Sequence, residues 1–421
     1  MHNTRPGTFG QSISFPGAGE FPVDVGKEGP WRPAPLREEV ELKRETYQAA
    51  ARAEYWLGRL DEAAERMPAR RTLVRASQLR EASAALDDSS VFLALPEIVA
   101  MDLPGDVSAD AVDPRVLRLC RADDDAVARV AGGEPIGEVL LGRTARLLAG
   151  LGTDVNDVEG DVLEVIPWRQ EPAWLGGTRP EDAFLLCTRH GPELRAVAAE
   201  MLTWLDADTD LPSVAWLGLA HYQFVVTSPV GHSGHLASLL VALGFIQAGE
   251  LQDQILAPSQ WFTPQNEQYR RMVRAVVDTG DFDAWIGYFA DGIVELCRSQ
   301  IELIGELELI RDQQLDAFNR RDGLARLVNA LSGNPVFNIE LAVRLSGVSL
   351  RQVHAIVKRL DEEGIVRKWT RNRQPRKKGQ HVIREVPAVV KAIGMYDHIP
   401  LRRDRTVFGP AGPVHHDPTP E

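Results

Sequence analysis

The stretch Leu217–Ala248, LGLAHYQFVVTSPVGHSGHLASLLVALGFIQA, decides the fold of this chain. Its first half has apolar residues at helical spacing and ends before Pro229, because the residue that precedes a proline disfavours the helical region. A short polar loop follows, and the apolar run Leu236–Ile246 then predicts a second, buried helix. A loop at the start of such a helix presents unpaired N–H groups and the positive end of the helix dipole. The stretch therefore predicts two helices joined by a tight loop that is suited to an anion.

The composition is that of an ordinary globular protein. The chain has 421 residues, of which 44% are hydrophobic and 25% charged, and its net charge is −13. The longest apolar run is too short to cross a bilayer and the N-terminus has no basic-then-apolar leader, so we expect a cytoplasmic protein without a membrane segment. Cys120, Cys187 and Cys297 are far apart and form no CxxC pattern, which predicts reduced thiols rather than disulfides or zinc ligands.

The loop and its flanks resemble the signature of the Fic (Fido) family, His-Pro-Phe-x-Asp/Glu-Gly-Asn-Gly-Arg-x-x-Arg. His221, Gln223 and Phe224 are similar to the family's lead-in, and Leu239-Leu240 is similar to the pair that follows its last arginine. Further similar residues are Trp174-Leu175-Gly176-Gly177, Gly280-Asp281, Trp285 and Phe289. The resemblance covers about residues 36 to 392 and implies a mainly α-helical Fic fold with a short β-hairpin flap. Most known members transfer AMP from ATP to protein hydroxyls.

Within this resemblance, the charged catalytic positions are lost. Ser228 takes the place of the histidine that acts as general base, and Gly231 or His232 stands where active members have the magnesium-binding acid. The loop is one residue short, and its two arginines are replaced by His235 and Ser238. The residues left to hold a nucleotide are Gly231, Ser233, Gly234, His235 and Ser238. The resemblance thus implies weak binding of ATP and magnesium at most, and we predict no metal site.

Two alternatives concern the histidines and the upstream helix. His232 or His235 could replace the missing base, since they lie three residues apart at a helix start, or they could be solvated or capping residues. Aligned on Arg80-Glu81-Ala82, the family's inhibitory motif falls on Ala84–Ser89, with Asp88 in place of its glutamate. The other interpretation is that Asp88 caps a helix that begins near Ser89.

Residues 161 to 187 have no helical period, and part of this stretch resembles the family's flap. Arg169 resembles the arginine of the family's Gly-Glu-Phe-Arg, and Ala183–Leu186 resembles the flap, a hairpin that binds the target segment by strand addition. Backbone pairing of this kind tolerates sequence change. The resemblance therefore implies a protein target, or a paired Fic protein, in the flap groove.

Residues 323 to 392 have the pattern of a winged helix. We predict helices at Gly323–Ser332, Ile339–Leu345 and Leu350–Glu362, then strands at Ile365–Thr370 and His381–Glu385 around a basic turn. From residue 351 to residue 385 the net charge is +7, which leaves −20 for the rest of the chain. This unit is therefore the expected surface for DNA, and a packing or regulatory role is the alternative.

If the unit binds DNA, its two sets of polar residues have different roles. Arg351, Gln352 and His354 would face the bases. Five residues of the turn, here called the wing cations, would bind phosphates: Arg371, Arg373, Arg376, Lys377 and Lys378.

The predicted organisation has five segments. They are a flexible tail or surface strap at 1–35, a helical region at 36–110, a Fic core at 111–318, a winged helix at 319–393 and a disordered tail at 394–421. Three functions follow from the residues: a Fic-fold binding or regulatory protein without AMP transfer, a transferase with altered chemistry, and a transcriptional regulator that senses through its Fic region.

Overall fold

The computed structural model describes residues 11–12, 31–32, 40–86, 95–103, 113–151, 166–171, 173–175, 185–187, 190–207, 209–264, 266–316, 322–369 and 382–397. The predicted mainly helical fold is confirmed over these stretches. Asp88 and the wing cations lie outside them. No helix within them is long and apolar enough to span a bilayer.

The helices before residue 317 include those predicted around the central loop. They are α1 (Arg44–Glu65), α2 (Arg71–Leu86), α3 (Leu95–Val99), α4 (Pro114–Ala131), α5 (Glu138–Ala149), α6 (Gly191–Asp206), α7 (Ser213–Thr227), α8 (Ser233–Gln247), α9 (Glu267–Thr279) and α10 (Phe282–Asp316). Short 3-10 helices lie at Ala100–Asp102 and Pro258–Gln260.

Helices α7 and α8 form the centre of the core, and two glycines allow close packing there, Gly244 between α8 and α7 and Gly218 between α7 and α10. A Cβ atom at Gly244 would lie 2.1 Å from Leu217 Cδ2, and one at Gly218 would lie 2.8 Å from Ile286 Cδ1 of α10. The indole Nε1 of Trp285 also donates a hydrogen bond to the Gly218 carbonyl at 2.8 Å. Because packed interiors have little free volume, a methyl group at Gly244 would force the buried Leu217 side chain out of its place.

Helix α1 packs along α10, and two polar contacts fix their relative direction. The Lys43 amide, just before α1, donates to Asp283 Oδ1 at 2.8 Å. Near the other end, Arg66 Nε lies 3.1 Å from Glu308 Oε1. Since the residue numbers rise together, the two helices run parallel.

The flap is one end of a small sheet. Strands β1 (Gln11–Ser12), β2 (Trp31–Arg32), β3 (Ala173–Leu175) and β4 (Leu185–Cys187) follow the order β1-β2-β4-β3. β3 and β4 are antiparallel, which confirms the predicted hairpin. β1 and β2 belong to the stretch that the sequence predicts to be a flexible tail or strap.

The described part of the C-terminal unit consists of four helices and three short strands. Its elements are α11 (Asp322–Leu331), β5 (Val336–Phe337), α12 (Ile339–Ser346), α13 (Leu350–Glu362), β6 (Arg367–Lys368), β7 (Arg384–Glu385) and α14 (Pro387–Asp397). The strands form an antiparallel sheet in the order β5-β7-β6. Helix α14 continues four residues past the predicted boundary at 393.

The C-terminal unit is attached to the helical core by direct contacts. Helix α14 packs against α10. At the start of α2, the Thr72 hydroxyl donates to the Gly333 carbonyl at 2.6 Å. Gly333 also lies so close to the backbone of Ala69 that a Cβ atom there would be 2.5 Å from the Ala69 nitrogen. The C-terminal unit therefore packs against α10 and the start of α2.

Candidate functional site

The loop between α7 and α8 turns through two residues in the left-handed region. Ser228 has φ 45° and His232 has φ 59°, and they are the non-glycine residues with positive φ among those described. A non-glycine residue in the left-handed backbone region costs on the order of 1 kcal/mol or more of conformational free energy, and such strain concentrates at functional sites. The loop shape is therefore held by its surroundings rather than by its own preference.

Contacts from residues 168 and 169, which precede the flap, hold the loop. Arg169 donates from its amide to the Pro229 carbonyl at 3.1 Å and from Nε to the Ser228 carbonyl at 2.9 Å. Trp168 forms a bridge with Val230. The Ser233 hydroxyl, at the start of α8, accepts from the Val230 amide at 3.1 Å and donates to its carbonyl. Arg169, selected from the sequence, is thus a backbone clamp on this loop.

The five residues predicted to hold a nucleotide divide between surface and interior. Gly231 and Gly234 are exposed, and a Cβ atom at either would meet nothing within 4 Å. Ser233, His235 and Ser238 are buried. The exposed part of the predicted anion site is therefore backbone, without a charged side chain from α8.

His235 forms a buried ion pair with Asp123 of α4. Its Nε2 lies 2.8 Å from Asp123 Oδ1, and both side chains are 1% exposed. Gln254 Nε2 donates to the other carboxylate oxygen at 3.0 Å. Burial lowers the pKa of His235, but the charge and the hydrogen bond of Asp123 outweigh it, and the net pKa is raised. The positive charge of the protonated His235 ring is therefore balanced by the buried Asp123 carboxylate.

Glu81 of α2 adds a second buried carboxyl group beside this pair. The Ser259 amide donates to its Oε1 at 3.0 Å, while Oε2 has no hydrogen-bond partner among the described residues. Burial raises the pKa of Glu81 to about 7, against the opposing positive charge of His235. His235 Nδ1 likewise has no partner within the described part of the chain. Half-satisfied buried groups of this kind carry a free-energy penalty.

A polar network continues from this cluster along α2. Gln78 Nε2 donates to Gln254 Oε1 at 3.2 Å and to Asp124 Oδ1 at 2.9 Å. Arg75 Nη2 then lies 2.7 Å from Asp102 Oδ1 and 3.0 Å from Asp124 Oδ2, with its side chain 2% exposed. Charge-assisted bonds shared in this way are the strong ones in a protein interior. Helices α2, α4 and α8 are therefore locked together by buried charges.

The two loop histidines point to different environments. His232 is exposed at the start of α8, whereas His235 is buried. Partial burial and the positive charges of His235 and Arg118 lower the pKa of His232. The sequence suggested one shared helix-start face for both residues, and the structure does not bring them together there.

Sequence reasoning missed the acidic partners of His235. Asp123 is 112 residues away, and Glu81 was used only to align the inhibitory motif. Asp123 lies within α4. One signal was present: α2 carries Arg75, Gln78 and Glu81 at spacings of three residues, which places polar side chains along one side of a helix that also contains Leu73 and Leu79.

A nucleotide with magnesium does not fit the residues of the loop. Residues 228–235 contain no carboxylate, and the nearby Asp123 and Glu81 are buried beside His235. A magnesium ion prefers carboxylate, phosphate and water oxygens in an accessible octahedral arrangement. Among the described residues, no group of three or more His, Cys, Asp or Glu side chains could hold a metal.

The predicted base-facing residues of α13 are exposed but not equivalent. Arg351, Gln352 and His354 all lie on the surface. Gln352, however, closes a capping box with Ser349. Its side-chain Oε1 accepts from the Ser349 backbone N–H at 3.1 Å, and its own backbone N–H donates to the Ser349 hydroxyl at 3.4 Å. The side chain of Gln352 is thus turned back onto the helix start and away from a groove.

Comparison with known proteins finds no matching family model and no matching curated protein. Two similar crystal structures are a Fic family protein from Desulfovibrio desulfuricans G20 and a Fic domain containing signaling protein from Bacteroides thetaiotaomicron VPI-5482. The first is 16% identical with a TM-score of 0.47, and the match covers 83% of this chain and 98% of that chain. The second is 13% identical with a TM-score of 0.41, and covers 61% and 98%. At identities and TM-scores this low, activities and residue roles are not transferred to this chain.

Proposed function

We propose that this chain has a Fic-type fold that has lost AMP transfer and acts as a binding or regulatory protein. The observation that carries the proposal is the buried ion pair between His235 and Asp123. The resemblance places His235 where the family has a phosphate-binding arginine. Here the cation at that position already has a carboxylate partner at 2.8 Å. Its Nε2 is therefore taken, its Nδ1 is buried, and a phosphate brought to this imidazole would meet the negative charge of Asp123.

The missing general base supports the same proposal. Ser228 occupies the histidine position, and its hydroxyl is a much weaker proton acceptor than an imidazole with a pKa near 6.5. General-base catalysis typically contributes about 10²- to 10⁴-fold, and each donor to a developing negative charge contributes on the order of 10² or more. Loss of these groups together would reduce transfer to background.

The flap hairpin supports a binding role. β3 and β4 are paired over three residues, and Trp168, just before β3, joins the hairpin side to the loop through Val230. The frame that would hold a protein segment is thus present without the catalytic side chains. The occupant we propose is an extended segment of a protein target or of a paired Fic protein, bound by strand addition.

A transferase with altered chemistry is the alternative for the loop. His232 is exposed, and its lowered pKa keeps the imidazole neutral near pH 7, as a base requires. His235 is a weaker candidate because Asp123 holds its Nε2 in the interior. His232 is therefore the residue to test.

DNA binding is a second candidate function for the C-terminal unit. Arg351, His354 and Lys358 are exposed on α13, while Val353 and Val357 on the same helix are buried. The sequence of helices and strands around α13 is the order that a winged helix requires. In this proposal Arg351 and His354 face the bases, and Gln352 serves the helix cap.

The test of the proposed function is a transfer assay on the full chain with magnesium and ATP labelled on the α-phosphate. We expect neither self-labelling nor labelling of lysate proteins above the signal of boiled protein. His232→Ala is the matched variant, because it removes the exposed histidine and leaves the buried pair intact. Labelling that the native chain shows and His232→Ala abolishes would replace the proposal with the altered-chemistry alternative.

A further inference from the structure

The edge of the flap strand β4 is covered by the chain's own N-terminal segment. β2 pairs with β4 in parallel, with Trp31 opposite Cys187. β1 pairs with the other side of β2 in antiparallel register, with Ser12 opposite Trp31 and Gln11 opposite Arg32. β4 therefore lies inside a four-stranded sheet, and its hairpin partner β3 is at the sheet edge.

This arrangement limits what can bind β4. A strand in a sheet has two sides along which its amides and carbonyls form a ladder. One side of β4 pairs with β3 over three residues, and on the other side β2 pairs at Cys187, so a strand added along Cys187 on that side would have to replace β2. An extended peptide on that side of β4 and the segment at residues 31–32 are therefore mutually exclusive.

We propose that β1 and β2, here called the N-terminal strand pair, are a built-in occupant of the β4 side of the flap, which a partner strand must displace to bind β4. This inference rests on the proposed function, in which the flap binds an extended protein segment. The competing partner is then a peptide chain in extended conformation, recognised mainly through its backbone.

The strand pair is well suited to displacement. Each of its strands has two residues, so the ladder to β4 contains few hydrogen bonds. By comparison, isolated hairpins of two strands are only marginally stable in water. The pairing therefore depends on the tether that joins β2 to the rest of the fold.

The tether gives a quantitative bound on the affinity. Residues 33 to 43 separate β2 from α1, and a short linker of this kind corresponds to an effective concentration of about 1 mM. To cover β4 for nine-tenths of the time, the free segment must bind with a dissociation constant of about 100 μM or tighter. A constant weaker than about 1 mM would leave the edge open for at least half of the time.

The experiment is hydrogen exchange on the folded full chain with a protease site placed between residues 33 and 39. Exchange of the β4 amides that point away from β3 is measured before cleavage, after cleavage and dilution to about 5 μM, and after addition of a synthetic peptide of residues 1–35, because amides along a strand alternate between its two sides. We expect protection to fall on cleavage by at least about tenfold, since the tether is lost. The peptide should restore it with a half-effect at about 100 μM or below, and a scrambled peptide of the same composition should not.

Uncleaved variants provide a second measurement. Proline cannot donate to a ladder and is excluded from central strands, so the double variant Trp31→Pro with Arg32→Pro should lose the same protection. Val25→Pro, between the two strands, is the matched control and should keep it. Unchanged protection in the double variant, or a half-effect weaker than about 1 mM, would overturn the proposal.

The outcome can be separated from that of the proposed function. The transfer assay with labelled ATP reports on the loop and does not require the strand pair. AMP transfer by the native chain would overturn the proposed function and leave the exchange result standing, whereas unprotected β4 amides in a chain without transfer would overturn only the strand-pair proposal.

Discussion

Replacement of Asp123 by asparagine tests the central feature of the site, the buried pair with His235. The change keeps the size of the side chain and the hydrogen bond from Gln254, but it removes the negative charge 2.8 Å from His235 Nε2. Removing one partner of a buried ion pair usually costs about 3 to 5 kcal/mol. Because the asparagine preserves hydrogen bonding and His235 can lose its proton, we expect a loss of about 3 kcal/mol near pH 6.

The pH dependence follows from the direction of the shift. The folded-state pKa of His235 is raised, so its stabilisation is fully present below the unfolded value near 6.5 and is lost as the pH rises through the folded value. In the Asp123→Asn variant, burial favours the neutral imidazole, and the charge of Glu81 is what remains to oppose it. The difference between native and variant chains should therefore shrink above pH 6.5, by at most about 1.4 kcal/mol per pH unit.

The assay is native-state hydrogen exchange of the α8 amides at pH 6 and pH 8. It reports the free energy of local opening of α8, even if other parts of the chain unfold separately. Asp125→Asn is the matched control, because Asp125 lies two residues away on α4 and its side chain, 28% exposed, pairs with Arg129 and Arg143. That control should change stability by less than about 1 kcal/mol. Equal effects of the two substitutions, or an Asp123→Asn effect that grows from pH 6 to pH 8, would refute the reasoning.

Three further outcomes are expected. Burial raises the pKa of Glu81 to about 7, so the folded state loses stability as the pH rises from about 4.5 to 7. In urea titrations, Glu81→Gln should therefore leave the free energy of unfolding nearly unchanged at pH 5 and raise it by up to about 3 kcal/mol at pH 8. Equal effects at the two pH values would contradict this. Gly244→Ala should destabilise by about 3 kcal/mol, because its methyl would overlap Leu217, whereas Gly287→Ala on α10, with open space around it, should stabilise by about 0.5 to 1 kcal/mol by the same titrations. ATP should bind the full chain with a dissociation constant weaker than about 10 μM in calorimetry, equivalent to about −7 kcal/mol, and tighter binding would show that the loop still holds phosphate.

A fourth expectation concerns DNA and separates two residues of α13. If the C-terminal unit binds DNA, replacement of the five wing cations by alanine should flatten the dependence of log K on log salt by up to about five, and Arg351→Ala should relax sequence preference. Gln352→Ala should leave sequence preference unchanged and lower stability by about 1 kcal/mol, because its side chain serves the capping box. A loss of sequence preference in Gln352→Ala, measured by competitive binding, would restore it as a base contact.

The helices around the loop could be predicted because their signals are local. The helix predicted to end before Pro229 is α7, which ends at Thr227. The inward direction of His235 could not be predicted, because α8 is apolar on all sides and its periodicity marks no single buried face. Its partner Asp123 is distant in sequence, and such a pairing has no local signature.

The pairing of β1 and β2 with the flap could not be predicted from the sequence for a related reason. The segments at residues 11–12 and 31–32 have two residues each, too short to show an alternating pattern. β1 pairs with β2, and the partner β4 of β2 lies far along the chain, so the pairing depends on where the flap is folded. A Gly- and Pro-rich composition predicts turns and exposed backbone, and exposed backbone is also what a sheet edge can bind.

The buried pair also links stability to binding. A cation at the position of His235 needs an anion, because an uncompensated buried charge is expensive. A bound phosphate could supply that anion from the loop side, and Asp123 supplies it from α4. The two are alternatives for one imidazolium, so a chain that keeps Asp123 in place remains stable without a ligand and binds phosphate poorly. Asp123→Asn should therefore weaken the fold without weakening ATP binding, and a parallel loss of both would show that Asp123 supports the loop rather than competing with a ligand for His235.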